Sequence, residues 1–137
     1  MCAHSRTLGT VAIMFATALF GLFAVQVSAW ANQKDECGSG EVCMFKDANY
    51  SGGWYDDVDD QYDYEGLIYN GCEDYFCGVN DATSSIDNDG TSCDSYHYVD
   101  AGYSGGWFKI DRGGHVADLS GTGFNDELSS HRWLSCS

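Results

Sequence analysis

The chain has 137 residues, with 21 Asp and Glu against 6 Lys and Arg, a formal charge of −15, seven cysteines and no proline. A nucleic-acid binder needs a basic footprint to neutralise phosphates, and the five cations beyond residue 30 are scattered through an acidic background, so nucleic acids and anionic membrane surfaces are excluded as partners. At 44% hydrophobic and 15% aromatic the chain carries too many core formers for a disordered acidic tail, and its length suits one small domain.

No acidic residue precedes Asp35; Arg6 stands before an apolar run from Val11 to Val27, and small residues follow up to Ala29-Trp30-Ala31. This order of basic, apolar and small segments predicts a signal peptide over residues 1–31 and a secreted, extracellular product. The alternative is an uncleaved anchor helix, because the run is close to the ~20 residues a bilayer span needs. Cleavage after Ala31 would leave residues 32–137 as a single domain of charge −16, with no stable membrane association.

The leader takes Cys2 with it and leaves Cys37, Cys43, Cys72, Cys77, Cys93 and Cys136, an even set that predicts three disulfides in an exported chain. Spacing does not choose the pairing; the expectation is nearest neighbours, Cys37 with Cys43 and Cys72 with Cys77, leaving Cys93 with Cys136. Zinc is disfavoured, since no C-x2-C and no paired histidine occurs.

Tyr50-Ser51-Gly52-Gly53-Trp54 returns unchanged as Tyr103-Ser104-Gly105-Gly106-Trp107, and an aromatic residue stands five positions before each tyrosine, at Phe45 and Tyr98. Further on, Asn80 to Ser85 is answered by Asn125 to Ser130, so the mature chain is a duplication with boundaries near 37–92 and 93–137. The first copy is eight residues longer between its motifs, in the stretch holding Cys72 and Cys77, which reads as a loop closed by its own disulfide.

Short aromatic and β-branched runs at 41–46, 54–58, 96–100 and 107–111 alternate with glycine turns, and no window of helical length keeps a 3.6-residue period. About four short strands per copy predict an all-β sandwich of two antiparallel sheets. In aromatic-x4-Tyr-x-Gly the glycine can take a positive φ, folding the hairpin so that the tyrosine packs on the earlier ring. Recurrence of that turn in register assigns Trp54 and Trp107 to packing rather than to a sugar-stacking platform.

The paired N-D-x-x-S-S turns supply hard oxygens and outward backbone carbonyls, which suits calcium with its ~6 to 8 oxygen ligands and tolerance of irregular geometry. The same residue types also close turns on their own backbone, so the inference rests on two copies in matched positions.

Taken together, Phe45-x4-Tyr50-x-Gly52 with Asn80 to Ser85, then Tyr98-x4-Tyr103-x-Gly105 with Asn125 to Ser130, resembles a βγ-crystallin domain across nearly the whole mature chain. The resemblance implies two Greek keys about a pseudo-twofold axis and two calcium sites, each fed by both motifs. It implicates the side chains of Asp81, Ser84, Asp126 and Ser129 and the backbone carbonyls of Ala82 and Glu127. The leader, the early cysteine pair and the segment Cys37 to Asp47 further resemble peptidase inhibitor family I36, whose members inhibit thermolysin-like metallopeptidases.

An inhibitor of a zinc endopeptidase needs an exposed, substrate-like loop held firmly enough that little entropy is lost on binding. The insertion between Gly66 and Val79 is the candidate, with Ile68, Cys77, Gly78 and Val79 as its contact residues and the side of Cys77 to Val79 favoured. The partner is then a secreted metallopeptidase. The alternative is a calcium-stabilised structural or interaction protein of an envelope, spore coat or extracellular matrix, acting as a monomer.

Extracellular calcium modules bind with Kd of roughly 10⁻⁴ to 10⁻³ M, which at about 1 mM calcium contributes on the order of 0.4 to 1.4 kcal/mol per site. A disulfide contributes ~2–4 kcal/mol, so the expectation is a chain that folds without metal and becomes more resistant with it. His97, His115 and His131 fall in no metal-ligand or catalytic spacing and no G-x-S-x-G occurs, so no enzymatic activity is expected.

Overall fold

The computed structural model describes residues 33–137, and the expected leader lies outside the described residues. Among the described residues no helix is long and apolar enough to cross a membrane.

Strands β1 (Val42–Asp47) and β2 (Ser51–Asp57) form the first hairpin, and β3 (Ser85–Asn88) pairs with the other side of β1. Strands β4 (Asp94–Asp100) and β5 (Ser104–Ile110) repeat the hairpin; β6 (His115–Val116) follows, and β7 (Ser130–Leu134) closes on β4. The sheets run β2-β1-β3-β6 and β5-β4-β7, all antiparallel. Strand β6 therefore leaves its own motif to pair with β3 of the other. The first motif returns the exchange without a named strand, through Gln61, which bridges His131 with backbone hydrogen bonds of 2.9 and 3.0 Å, and Tyr64, whose N–H donates to the Ser129 carbonyl at 2.8 Å. Two Greek keys thus interlock about a pseudo-twofold axis, with three named strands rather than four in the first copy.

Each hairpin is held by the same parts. Tyr50 and Tyr103 adopt φ of 59° and 57°, and Gly52 and Gly105 follow at 79° and 76°. A Cβ at Gly52 would lie 2.3 Å from the Asp47 carboxylate and one at Gly105 2.4 Å from that of Asp100, so glycine is required by both backbone angle and space. The tyrosines then meet the earlier rings, Phe45 with Tyr50 at 5.5 Å and Tyr98 with Tyr103 at 5.9 Å between centroids.

Alternation in β1 sends Val42 and Met44 inward, where with Tyr64, Val79, Ile86, Ile110, Leu119 and Leu128 they form the core between the sheets. It sends Cys43 and Phe45 to the outer face of the first sheet, where Tyr50, Cys37, Trp54 and Ala117 cover them. Facing positions differ in chemistry between the halves: Met44 opposes Ile86 in the first, His97 opposes His131 in the second. Both histidines are fully buried, their rings 5.8 Å apart. His131 accepts from the Tyr64 hydroxyl at Nδ1 (2.9 Å) and donates from Nε2 to the Asp59 carbonyl (3.1 Å), which fixes a neutral tautomer.

Disulfides join Cys37 to Cys43, Cys72 to Cys77 and Cys93 to Cys136. The insertion is located by its flanks: twelve residues separate Leu67 from Asn80, whereas two separate Thr122 from Asn125. Ile68 and Gly78 face each other as an antiparallel bridge, and the Cys72–Cys77 bond closes the tip beyond them. Ile68 is 60% exposed, but Val79 is fully buried and its N–H donates to the Leu67 carbonyl. That corrects the expectation for Val79: its side chain completes the core under the insertion and offers nothing to a partner. Trp107 departs from the packing expectation only in part: it is 55% exposed, and its ring lies against Tyr96 at 5.4 Å between centroids.

Candidate metal centre

The six-residue turns at 80–85 and 125–130 meet at one end of the sandwich. Each begins with an asparagine whose side-chain amide donates to the following aspartate, Asn80 to Asp81 at 2.8 Å and Asn125 to Asp126 at 2.7 Å. Both aspartates sit in the left-handed region, at φ 53° and 56°. Such a backbone is tolerated by Asp and Asn better than by most residues, and it turns the carboxylate outward. The turns are tied to each other through backbone, Asp81 N–H to Leu128 O at 3.0 Å and Asp126 N–H to Thr83 O at 3.1 Å.

Across this seam the hydroxyls and carboxylates are exchanged. Ser84 Oγ donates to Asp126 at 3.2 Å, and Ser129 Oγ donates to Asp81 at 3.2 Å. The structure therefore brings Asp81, Ser84, Asp126 and Ser129 into two oxygen-only clusters, each using one residue from either motif, with Ala82 and Glu127 between the paired side chains in the chain. A depression of about 310 Å³ at the first cluster is lined by Lys46, Asp47, Asp81, Ala82, Ser84 and Asp126. The Ala82 carbonyl accepts from the Tyr69 hydroxyl at 3.1 Å, using one of its two lone-pair directions.

The second serine of each turn has a role that type alone did not reveal. Ser85 Oγ donates to the Asp47 carbonyl at 2.7 Å and accepts from Tyr50 N–H at 3.0 Å. Ser130 does the same for Asp100 and Tyr103, at 2.7 and 3.1 Å. It locks the aromatic hairpin to the metal-type turn, which explains why the two motifs recur together. The available sign was that both turns end in Ser-Ser where one serine suffices for an ion.

The donor set fits a hard cation. It offers carboxylate, hydroxyl and carbonyl oxygen on an irregular frame, and among the described residues no imidazole or free thiol belongs to it. Among the described residues a further cluster of metal-binding residue types, Cys37, Glu41 and Cys43, includes two disulfide sulfurs and is unavailable as thiolate.

Interlocked Greek keys, tyrosine hairpins and crossed Ser–Asp turns give the chain a βγ-crystallin-like fold. No family model and no curated protein matches the chain. Solved structures do. A structure described under the evolution of the eye lens βγ-crystallin domain fold matches with a TM-score of 0.61 at 23% identity, over 73% of this chain and 90% of that one. A βγ-crystallin of Ciona intestinalis matches at 0.55 and 25% identity, over 69% and 100%. Spherulin 3a of Physarum polycephalum matches at 0.55 and 23%, over 74% and 88%. At this level of identity the comparisons establish the fold.

Proposed function

We propose that the protein is a secreted calcium-binding module, a disulfide-crosslinked βγ-crystallin-like body with two calcium sites that firm up a structure able to fold without them. The observation that carries the reading is the reciprocal pairing of Ser84 with Asp126 and Ser129 with Asp81. Asp81 and Ser129 would hold one ion and Asp126 and Ser84 the other, with the Ala82 and Glu127 carbonyls as further ligands. A bound calcium supplies positive charge between carboxylates that otherwise repel across the seam. It leaves the covalent frame unchanged. Three disulfides in a chain with no leftover cysteine after residue 36 suit an oxidising, extracellular compartment. The architecture provides support and binding surfaces, and no catalytic role is assigned.

Titration calorimetry of the oxidised protein tests the reading. Two calcium equivalents should bind with Kd of roughly 10⁻⁴ to 10⁻³ M. Asp81→Asn and Asp126→Asn should each weaken one site more than the other. Absence of any calcium-dependent heat or melting shift at about 10 mM metal would reject it.

A second reading, inhibition of a secreted metallopeptidase, is favoured by the disulfide-closed insertion, where Tyr75 and Phe76 are 93% and 77% exposed with rings 4.9 Å apart. With Val79 buried, the apolar anchor on this reading is Phe76 or Ile68, beside the Cys77–Gly78 backbone. Titrating a thermolysin-like enzyme with the wild type, Phe76→Asp and Ile68→Asp separates the readings. No inhibition at micromolar wild-type protein, with calcium binding intact, leaves the first alone.

A further inference from the structure

The two outer sheet faces are built alike and covered differently. On the first, Phe45, Tyr50 and Trp54 lie under the chain's own residues. Gln33 N–H donates to the Tyr50 carbonyl, and the Gln33 amide oxygen accepts from Gly53 N–H at 2.8 Å. Lys34 reaches over the Tyr50 ring, 5.0 Å from its centroid, to an ion pair with Asp87 at 2.7 Å. At the edge of β2, Trp54 and Asn70 exchange backbone hydrogen bonds of 3.0 and 2.7 Å, and Gly71 lies so close to the Trp54 ring that a Cβ would come within 2.5 Å. Two separate segments of the chain therefore cover this surface: Gln33 with the 3-10 turn Lys34–Glu36 over its face, and Asn70, which adds a single antiparallel bridge to Trp54 at its edge.

On the second face Tyr98, Tyr103 and Trp107 occupy the matching positions, and β5 is again an edge strand. Nothing among the described residues lies on that edge: Ser104, Gly105, Gly106 and Trp107 are all exposed. Tyr62 touches the edge of the Tyr103 ring at 5.5 Å and leaves the β5 backbone open. The charge at the site of Asp87 is reversed, because the corresponding residue of β7 is Arg132. Its guanidinium rests over the Tyr98 and Tyr103 rings, 5.6 and 5.2 Å from their centroids, with Nε donating to the Tyr98 hydroxyl at 3.0 Å. In a chain with 21 acidic residues, Arg132 forms no ion pair among the described residues.

We propose that the β5 edge is a docking site for an extended acidic peptide of a partner protein, which pairs with the Trp107 backbone as Asn70 pairs with Trp54 and sets a carboxylate on Arg132 where Lys34 meets Asp87. An exposed edge adds a strand through main-chain hydrogen bonds, and side-chain pockets give it selectivity. A guanidinium whose Nε is taken by the Tyr98 hydroxyl keeps its terminal nitrogens for a carboxylate, in the planar fork that favours two parallel hydrogen bonds. The inference does not depend on calcium.

The test uses the oxidised full-length mature chain and two blocked pentapeptides, Thr-Gln-Glu-Val-Thr and Thr-Gln-Lys-Val-Thr, followed by amide and indole NMR shifts. The Glu peptide should move the resonances of residues 104–107 and the Trp107 indole at about 1 mM, and bind roughly tenfold tighter than the Lys peptide. Arg132→Gln should remove that preference and Arg132→Glu should reverse it, while both variants keep the wild-type calcium response and a folded amide spectrum away from the Tyr98 and Tyr103 rings. Equal affinity for the two peptides, or no shift at 104–107, overturns the proposal. So does concentration-dependent broadening of β5 without peptide, which would make the occupant a second copy. Binding of glucuronate oligomers at the same resonances without peptide binding would also overturn it, making the occupant a saccharide.

Discussion

The two halves of the molecule share a hairpin, a turn and a locking serine, yet the first is wrapped and the second is bare. Residues 33–37 and the Cys72–Cys77 insertion cover the first sheet from outside, while the second sheet keeps the β5 edge and Trp107 open. Beneath the surface the contrast runs the other way: the first half packs Met44 on Ile86, and the second buries two imidazoles. Duplication supplied one frame, and each half was then altered where the pseudo-symmetry imposes nothing.

The largest test of this contrast is the crosslinks. Cys37–Cys43 and Cys72–Cys77 close short loops within the wrapped half, with sequence separations of 6 and 5, whereas Cys93–Cys136 spans 43 residues and ties both ends of the bare half. Loop-closure entropy assigns about 4 kcal/mol to the long bridge and about 2 kcal/mol to either short one. Replacing Cys93 and Cys136 together by alanine should lower the denaturation free energy about twice as much as replacing Cys72 and Cys77. Equal losses would mean that native packing, not chain restriction, sets the effect.

Next in size is the histidine pair. Burial, then the neighbouring His131, hold His97 well below the ordinary imidazole range, and burial holds His131 down to about 4 against the opposing influence of Asp57, Asp59 and Asp60. A folded-state pKa below the unfolded 6.5 means that the unfolded chain binds more protons under pH 6.5. Stability is therefore full above that pH and lost as it falls toward 4, by on the order of 3 kcal/mol for His131. The groups facing the pair are the Tyr64 hydroxyl, Ser95 and Phe108. Giving the second half the first half's residues, His97→Met with His131→Ile, should flatten urea midpoints between pH 7 and 4. A wild-type slope surviving in that variant would place the acid sensitivity elsewhere.

A smaller difference is expected at the locking serines. Ser85→Ala and Ser130→Ala each strand a backbone N–H and a carbonyl. The Tyr50 contact is buried and the Tyr103 contact only partly so. We expect losses of about 2 and about 1 kcal/mol respectively. The reverse order in thermal melts would show that the open face is the more tightly held.

Much of this was legible in the residues because duplication repeats its own signals. The tyrosine hairpins, the Asp and Ser turns and the short strands each occur twice, and their offsets fix which parts correspond. What stayed hidden was single-copy. Val79 reads as an exposed anchor beside a loop disulfide, but the Ile68–Gly78 bridge turns its side chain inward. Trp107 reads as packing because Trp54 packs, and sequence does not show that Asn70 and Gly71 cover only one of them. The burial of His97 and His131 was obscured because alternation in β4 and β7 places them inward while their type suggests the surface.

The finest distinction lies at the crossed turns. Lys46 borders the cluster of Ser84 and Asp126, whereas the corresponding residue of the second half is Val99. A cation beside a cation site raises the free energy of the bound ion, and the ion pair of Lys46 with Asp74 of the insertion offsets part of that repulsion. The two calcium affinities should therefore differ, with the Ser129 and Asp81 site the tighter. Lys46→Val should bring them together by strengthening the weaker site several-fold, and Asp74→Asn should separate them further by leaving Lys46 uncompensated. Both shifts are readable in a two-site calorimetric isotherm at low ionic strength and should shrink in about 0.5 M salt, where screening shortens the reach of the lysine charge. Identical isotherms for wild type and Lys46→Val would show that the ion is set by the turns alone, and that the wrapped and bare halves are equivalent where their turns meet.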